Sequence, residues 1–251
     1  MKKITILFLN VIFVNLLFSN SFKLHLLFTN NIHGAIHEVP ARFINPEFSP
    51  ILAGGAGAFT YASKLRKEAK LKEDFVMLTD AGNIFQGSQL GTYDGGSNII
   101  KWMNWMAYDA IVPGVRDFDQ GVNNLSKLAS EANFPFLASN LEGVDGIEDY
   151  KIINANGVKI GLIGLITPFI SEGLLPEYYE GVAVSDIKKT LSTQIEKIRS
   201  DVDLIFVLSH LGIPYDRADE YDDFIKDIER GIERPIRNAI ELAHFTDEVD
   251  V

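Results

Sequence analysis

The chain passes four times from a short apolar run into a polar loop punctuated by glycine, and this pattern constrains its fold more than any other feature. The first case is residues 24–28, which are nearly all large and apolar and break abruptly into the sequence TNNIHG. An apolar run of this length, bounded by turn residues, predicts a buried strand. Asn31 and His33 are therefore expected at the carboxyl end of a strand.

The same pattern recurs three times further along the chain. Apolar runs at residues 75–78, 110–112 and 204–208 lead into loops that carry Asn83, then Arg116 and Asp119, then His210. In open α/β sheets, ligands bind outside the carboxyl ends of the strands. We therefore expect these polar residues to converge with Asn31 and His33 on one site.

Other segments complete an α/β chain. Apolar residues at helical spacing predict helices at residues 59–72, 99–106, 123–132 and 187–200. Asn156-Gly157, between residues 152–155 and 158–165, is a strong β-hairpin signal, so we expect a second, mixed sheet. A helix that Pro235 should interrupt is predicted over residues 228–243, and a strand begins at residues 248–251.

The amino terminus has the composition of a secretory signal peptide. Lys2 and Lys3 precede a mostly apolar stretch, and Ser19 and Ser21 supply small residues at cleavage spacing. We predict that residues 1–21 are removed and that residues 22–251 form one domain, with an uncleaved membrane anchor as the alternative. The absence of cysteine excludes disulfides and a lipid-modified cysteine. An exported bacterial protein, periplasmic or secreted and without a membrane span after cleavage, is expected.

Composition and two local clusters exclude other functions. The net charge of −11, without a block of basic residues, argues against binding of a nucleic-acid polymer. The glycine cluster at residues 53–57 lacks the Lys-Ser/Thr pair of a phosphate loop and is interpreted as a packing turn. The acidic residues within 216–227 lack the glycine and terminal glutamate of a calcium loop, so we interpret them as a solvated loop and first helical turn.

Converging carboxylate, amide and imidazole groups suit a two-metal hydrolase. The stretches FTNNIHG, TDAGNIFQG, PGVRDFDQG and LSHLG occur in this order along the chain. They resemble the motifs of the calcineurin-like metallophosphoesterases, and within them of the exported 5′-nucleotidase and UDP-sugar hydrolase group. The resemblance covers residues 23–251. It implies a four-layer α/β/β/α sandwich of two mixed sheets flanked by helices, and hydrolysis of nucleotide phosphate esters at a dinuclear metal site.

Several of the positions that the resemblance assigns to the metal site carry other residues. The family's first metal-binding Asp falls on Asn31, its bridging Asp on Asn83, its metal-binding Asn on Val115 and its catalytic His on Arg116. His33 and His210 match metal ligands, and Asp119 matches the residue that orients the catalytic His. The family's closing Gly-His-x-His motif and its carboxyl-terminal nucleoside-binding domain have no counterpart in this sequence, so nothing in it identifies the substrate-binding residues.

These departures predict either a pseudoenzyme or a catalytically incomplete chain that ends before the last metal-binding motif. In both cases we expect a catalytically inactive or severely impaired protein that holds no metal tightly. An alternative is an active phosphoesterase in which Asn31, His33, Asn83 and His210 hold one divalent ion of the Mn, Zn, Fe or Mg class while Arg116 contacts the phosphate. A second alternative is a non-catalytic protein that binds a phosphate or nucleotide-like anion through Arg116. A salt bridge from Arg116 to Asp117 or Asp119 is the simplest structural role for this arginine.

Overall fold

The computed structural model describes residues 21–251, so the predicted signal peptide lies almost entirely outside the described residues. Within the described residues, no helix has both the length and the apolar character needed to cross a membrane. The strands are β1 (Leu24–Thr29), β2 (Val39–Pro40), β3 (Ile51–Leu52), β4 (Phe75–Asp80), β5 (Ala110–Ile111), β6 (Phe136–Leu137), β7 (Leu141–Glu142), β8 (Ile147–Glu148), β9 (Tyr150–Ala155), β10 (Val158–Ile166), β11 (Ala183–Val184) and β12 (Leu204–His210).

Helices lie between some of these strands. They are α1 (Gly54–Leu71), α2 (Gln89–Thr92), α3 (Ser97–Met106), α4 (Val122–Glu131), α5 (Ile187–Ile198), α6 (Arg217–Glu229) and α7 (Ala239–Ala243). Short 3-10 turns occupy Val115–Phe118, Ile170–Glu172, Pro176–Tyr178 and Arg199–Asp201. The four helices predicted from apolar spacing therefore correspond to α1, α3, α4 and α5.

The strands of the first, five-stranded sheet lie in the order β1-β4-β5-β6-β8, and their pairings are parallel. Thr29 lies opposite Asp80, and Asp80 lies opposite Ile111. Because parallel strands end at the same edge, the loops that follow β1, β4 and β5 emerge side by side.

The second sheet is mixed, as predicted, with the order β12-β10-β9. β9 and β10 form the antiparallel hairpin, and its turn residues Asn156 and Gly157 have positive φ angles of 51° and 98°. Such a turn matches the twist of the flanking strands, which explains the Asn-Gly pair. β12 pairs parallel with β10, and Ile166 lies opposite His210.

Three apolar clusters separate four layers. The first joins α1, α3 and α4 to one face of the five-stranded sheet, and it includes Ile99 and Met103. The second lies between the sheets, where Met77 and Phe206 are both buried. The third joins the three-stranded sheet to α5, α6 and α7. The α/β/β/α arrangement implied by the resemblance is thus confirmed, although the described five-stranded sheet is parallel and not mixed.

The helix predicted over residues 228–243 is interrupted, as expected, but the non-helical segment is longer than predicted and spans residues 230–238. α6 ends at Glu229, and Gly231 follows with a φ angle of 70°, which typically ends a helix. Pro235 lies in the non-helical segment before α7. The acidic stretch expected to be a solvated loop and first helical turn is helical from Arg217 onward. The Asp216 side chain accepts the N–H of Asp219 at the helix start.

The predicted strand at residues 248–251 is also not formed as a regular element. Its residues nevertheless run beside β12: the Asp250 N–H donates to the Ile205 carbonyl at 2.8 Å, and the Val207 N–H donates to the Val251 carbonyl at 2.8 Å. These residues thus begin to pair with β12, but the pairing is too short to form a regular strand. Between β1 and α1 the chain forms one small hairpin, made by β2 and β3.

Candidate functional site

The loops that follow β1 and β4 are joined by three backbone hydrogen bonds. The N–H groups of Asn31, His33 and Gly34 donate to the carbonyls of Gly82, Asn83 and Ile84 at 2.9, 2.9 and 2.8 Å. Asn31, His33 and Asn83 have positive φ angles of 52°, 49° and 60°. Asparagine tolerates this left-handed conformation better than most residues, so these loops hold Asn31 and Asn83 in a fixed relative position.

Asp117 ties the loop after β5 to the loop after β4. This fully buried carboxylate accepts the N–H groups of Asn83, Ile84 and Gly114, each at 2.8 Å. Burial raises the pKa of Asp117, while the three N–H donors and the nearby His210 oppose the rise. Sequence reasoning missed this role. The available signal was its position, because Asp117 directly follows Arg116, which the resemblance places at the catalytic His.

Asn31 and Asn83 bind each other. The backbone N–H of Arg116 donates to Oδ1 of Asn83 at 2.8 Å, and Nδ2 of Asn83 donates to Oδ1 of Asn31 at 2.8 Å. A backbone N–H can only donate, so it fixes which side of the Asn83 amide carries oxygen. The amide nitrogen must then face Asn31. Each Oδ1 atom therefore already accepts one hydrogen bond within the protein.

Both predicted histidine ligands are held by backbone carbonyls. Nδ1 of His33 lies 2.7 Å from the Gln86 carbonyl oxygen, and Nδ1 of His210 contacts the Ala81 carbonyl oxygen. Because a carbonyl oxygen only accepts, Nδ1 carries the proton in each ring, which leaves the lone pair of a neutral imidazole on Nε2. The contact of His210 also connects β12 to the loop after β4, so all four predicted strand ends belong to one site.

Arg116 lies at the mouth of the site with its side chain about half exposed. Its Nη1 donates to the Gly173 carbonyl at 3.0 Å and lies 3.6 Å from Oδ1 of Asp119. The ion pair expected for this arginine is therefore made with Asp119 and not with Asp117. Partial burial raises the pKa of Asp119, and the charges of Arg116 and His33 oppose the rise.

A chain of buried polar groups lies beneath these loops. The Thr29 hydroxyl donates to Oδ2 of Asp80 at 2.5 Å and lies 2.8 Å from the Tyr108 hydroxyl, while the Gly82 N–H donates to Oδ1 of Asp80 at 2.6 Å. Burial raises the pKa of Asp80 to about 7, against the lowering effect of its two donors, and raises the pKa of Tyr108. Sequence reasoning did not single out this network.

The donor groups present do not fit the pair of divalent ions that the resemblance implies. Val115 has no donor atom, Arg116 contributes a positive charge, and the oxygens of Asn31 and Asn83 are neutral and already bonded. The Nε2 atoms of His33 and His210 remain available as metal ligands, because the hydrogen bonds of both rings to backbone carbonyls are made by Nδ1. Among residues 21–251, no cluster of three or more His, Cys, Asp or Glu side chains is arranged to hold a metal ion.

The curated proteins that are similar to this chain include several 5′-nucleotidases. A 5′-nucleotidase from the venom of Crotalus adamanteus is 31% identical over 212 residues, which is 79% of this chain and 34% of that protein. A 5′-nucleotidase of Vibrio vulnificus (strain CMCP6) is 28% identical over 237 residues, which is 92% of this chain and 39% of that protein. The chain thus spans about a third of the length of the curated relatives it matches. A search of protein-family models gives no match.

Solved structures support the same relationship. The calcineurin-like phosphoesterase YfkN from Bacillus subtilis is 25% identical with a TM-score of 0.68, and the match covers 90% of this chain and 69% of that chain. A 5′-nucleotidase precursor from Thermus thermophilus is 25% identical with a TM-score of 0.65, and the match covers 76% and 38%. The four ordered motifs and the layered fold agree with these relatives, and the chain therefore belongs to the metallophosphoesterase superfamily that includes the 5′-nucleotidases.

Proposed function

We propose that this chain is a 5′-nucleotidase-type metallophosphoesterase fold that has lost its metal pair and the catalysis of phosphate-ester hydrolysis. The observation that carries the proposal is the hydrogen bond between the amides of Asn31 and Asn83. Asn31 and Asn83 stand at the positions where the resemblance places two metal-binding carboxylates.

The charges of the site support this proposal. Two divalent ions held about 3.5 to 4 Å apart need carboxylates to offset their mutual repulsion, and the amides supply no negative charge. The guanidinium of Arg116 adds a fixed positive charge. Two like unit charges 4 Å apart repel by about 4 kcal/mol at an effective dielectric of 20. Each divalent ion near Arg116 would meet a larger penalty than this.

The chemistry of Arg116 supports loss of turnover independently of metal binding. The resemblance assigns this position to a catalytic histidine, which acts by exchanging a proton near neutral pH. An arginine stays protonated throughout the physiological range, so it cannot alternate between acid and base. Asp119, which would orient the histidine, forms an ion pair with Arg116.

Hydrolysis assays test the proposal. Purified protein is incubated with AMP and with bis-nitrophenyl phosphate, in turn with Mn²⁺, Zn²⁺, Co²⁺, Fe²⁺ and Mg²⁺. We expect no turnover above that of the matched variant His210→Ala, which removes one of the two free imidazole donors. Metal-dependent turnover of either substrate by the wild-type chain, lost in the variant, would contradict the proposal.

A second candidate is a working phosphoesterase with a single metal ion. The orientation of the two histidines favours it, because each Nδ1 donates to a carbonyl and leaves Nε2 available as a ligand. Arg116 would then neutralise a phosphate oxygen in place of the second ion. In that case Arg116→Ala should reduce turnover sharply, whereas in the inactive protein it changes nothing measurable in the assay.

Loss of catalysis leaves anion binding possible, and this is the third candidate. The Arg116 side chain is half exposed, and its contact with Asp119 is long, at 3.6 Å, so one face of the guanidinium is open to a phosphate or a nucleotide-like anion. Calorimetric titration with phosphate and AMP tests this. Heat that disappears in Arg116→Ala, without product formation, would support binding without hydrolysis.

We also propose that the chain is exported. The support is the basic and apolar composition of residues 1–21 and the small residues at positions 19 and 21. Amino-terminal sequencing of the protein recovered from an expressing bacterium should begin at Phe22. Recovery of intact Met1 in a membrane fraction would support the uncleaved anchor instead.

A further inference from the structure

A chain of hydrogen bonds runs from the buried core toward His210. Tyr108 is 5% exposed and Asp80 is 0% exposed. The Thr29 hydroxyl lies between them, 2.8 Å from Oη of Tyr108 and 2.5 Å from Oδ2 of Asp80. The other carboxylate oxygen of Asp80, Oδ1, accepts the Gly82 N–H at 2.6 Å.

One peptide group continues this chain to the site. The N–H of Gly82 and the carbonyl of Ala81 belong to the same planar peptide group, and the carbonyl accepts from Nδ1 of His210. The Asp80 carboxylate is therefore joined to the His210 imidazole through this peptide. Hydrogen bonds in series polarise one another, so a negative charge on Asp80 strengthens the Ala81 carbonyl as an acceptor.

The ionisation of Asp80 sets the direction of the hydroxyl hydrogen bonds. A threonine hydroxyl has one hydrogen, and an ionised carboxylate only accepts. While Asp80 is ionised, Thr29 donates to it and Tyr108 donates to Thr29. A proton taken up from water can lie on Oδ2 without breaking the bond from Gly82, and it is then donated to the Thr29 oxygen. The Thr29 hydrogen turns to Tyr108, so protonation reverses the chain and leaves a neutral oxygen facing Gly82.

The groups around Asp80 place this change of charge near neutral pH. Burial raises the pKa of Asp80 to about 7; the hydroxyl from β1 and the loop N–H lower it, and Asp117, in the 3-10 turn after β5, raises it. On the far side, Arg66 of α1 lowers the pKa of Tyr108, while burial and the charge of Asp80 raise it. From β12, His210 reaches the carbonyl side of the shared peptide group.

We propose that Asp80 is a positioning residue for His210, and that its ionisation switches how firmly the Ala81–Gly82 peptide group and the imidazole are held. Hydrogen bonds to a charged acceptor are roughly twice as strong as those to a neutral one. The peptide group, and through it His210, is therefore held more firmly when Asp80 is ionised than when it is protonated. This inference does not depend on whether the site binds a metal ion or an anion.

Hydrogen exchange of individual N–H groups, followed by NMR from about pH 5.5 to 8.5, tests the proposal over the range in which Asp80 titrates. Each exchange rate is divided by the rate of the unfolded chain at the same pH, which gives a protection factor. The internal control is the Gly34 N–H, which donates to the Ile84 carbonyl in the same pair of loops. A change in global stability alters both protection factors, so their ratio isolates the switch. We expect the ratio of Gly82 to Gly34 protection to rise roughly fivefold as Asp80 ionises.

The matched variant is Asp80→Asn. Its side-chain oxygen still accepts the Gly82 N–H and its nitrogen donates to Thr29, so the chain keeps the low-pH direction at every pH. We expect the protection ratio to stay at the wild-type low-pH value. At about pH 8.5, where neutral imidazoles predominate, the Nδ1–H of His210 should exchange with water roughly fivefold faster than in the wild type. That of His33, which donates to a different loop carbonyl, should be unchanged.

A second variant, Thr29→Val, removes the donor to Oδ2 of Asp80. The ionised carboxylate loses a hydrogen bond, so the rise in Gly82 protection should move to higher pH. Circular dichroism checks that each variant is folded; if Asp80→Asn is not, the wild-type profile and Thr29→Val decide. A protection ratio that stays constant with pH in the wild type overturns the proposal. So does a folded Asp80→Asn in which the exchange of His210 is unchanged or matches that of His33, or a midpoint that does not move in Thr29→Val.

Discussion

Replacing both asparagines of the amide pair by aspartate should destabilise the chain, although either replacement alone should not. In Asn83→Asp, one carboxylate oxygen still accepts the Arg116 N–H and the other accepts Nδ2 of Asn31 after that amide rotates. In Asn31→Asp, the new carboxylate accepts Nδ2 of Asn83. Each single variant keeps a satisfied hydrogen bond, so we expect its free energy of unfolding to change by less than about 1 kcal/mol.

The double variant places two carboxylates where the amide nitrogen and oxygen now lie 2.8 Å apart. Neither can donate when both are ionised. Two unit charges about 4 Å apart repel by about 1 kcal/mol in water and about 4 kcal/mol at an effective dielectric of 20. Because Asn31 is exposed and Asn83 is half-buried, we expect a coupling between these limits, beyond the sum of the single effects.

The pH dependence of the double variant's stability is a second, independent test of this repulsion. Repulsion raises the folded-state pKa of one carboxyl of the pair above its unfolded value near 4. The folded double variant then binds more protons than the unfolded chain, so its stability relative to wild type falls as pH rises above about 4. Divalent metal should partly reverse the loss, since it neutralises both carboxylates.

Urea unfolding of the wild type, both single variants and the double variant, at pH 5 and pH 7.5 with chelator present, measures this cycle. If the changes in the free energy of unfolding of the two single variants simply add in the double variant at both pH values, the two side chains are not in contact and the prediction is contradicted. A large loss in either single variant would refute the proposed rearrangement of the amides.

Three further predictions concern neighbouring groups. Asp117→Ala leaves three loop N–H groups without their acceptor and should cost at least about 3 kcal/mol in urea unfolding, with Asp117→Asn losing less. Asp80 has a folded pKa raised to about 7, so its contribution to stability should fall as pH rises from about 4 to 7, by up to ~4 kcal/mol, and this component should vanish in Asp80→Asn. Arg116→Ala removes a half-exposed ion pair with Asp119 and should change the free energy of unfolding by less than about 1 kcal/mol.

The elements that sequence predicted well are those with a strong local signal. The short apolar run that became β4 and the Asn156-Gly157 turn each specify a structure within a few residues. The region after residue 216 has no such signal. Its acidic residues obscure the helical spacing of α6, and the end of α6 depends on the left-handed conformation of Gly231, which the sequence allows but does not require.

The composition of the site could be predicted, but its bonding could not. Strand ends placed Asn31, Asn83, Arg116 and His210 in one cluster, and the structure brings them together. The contact between the two amides depends on left-handed loop conformations and on the orientation imposed by a backbone N–H. The role of Asp117 likewise depends on three N–H groups from two loops that are adjacent only in the fold.

Equilibrium metal binding tests whether the amide pair has replaced the metal pair. Metal-free protein is dialysed against low-micromolar Mn²⁺ or Zn²⁺, and bound metal per chain is measured for the wild type and for the variants His33→Ala and His210→Ala. We expect the wild type to retain no stoichiometric metal and to match both variants. Two ions bound per wild-type chain, and lost in both variants, would contradict it.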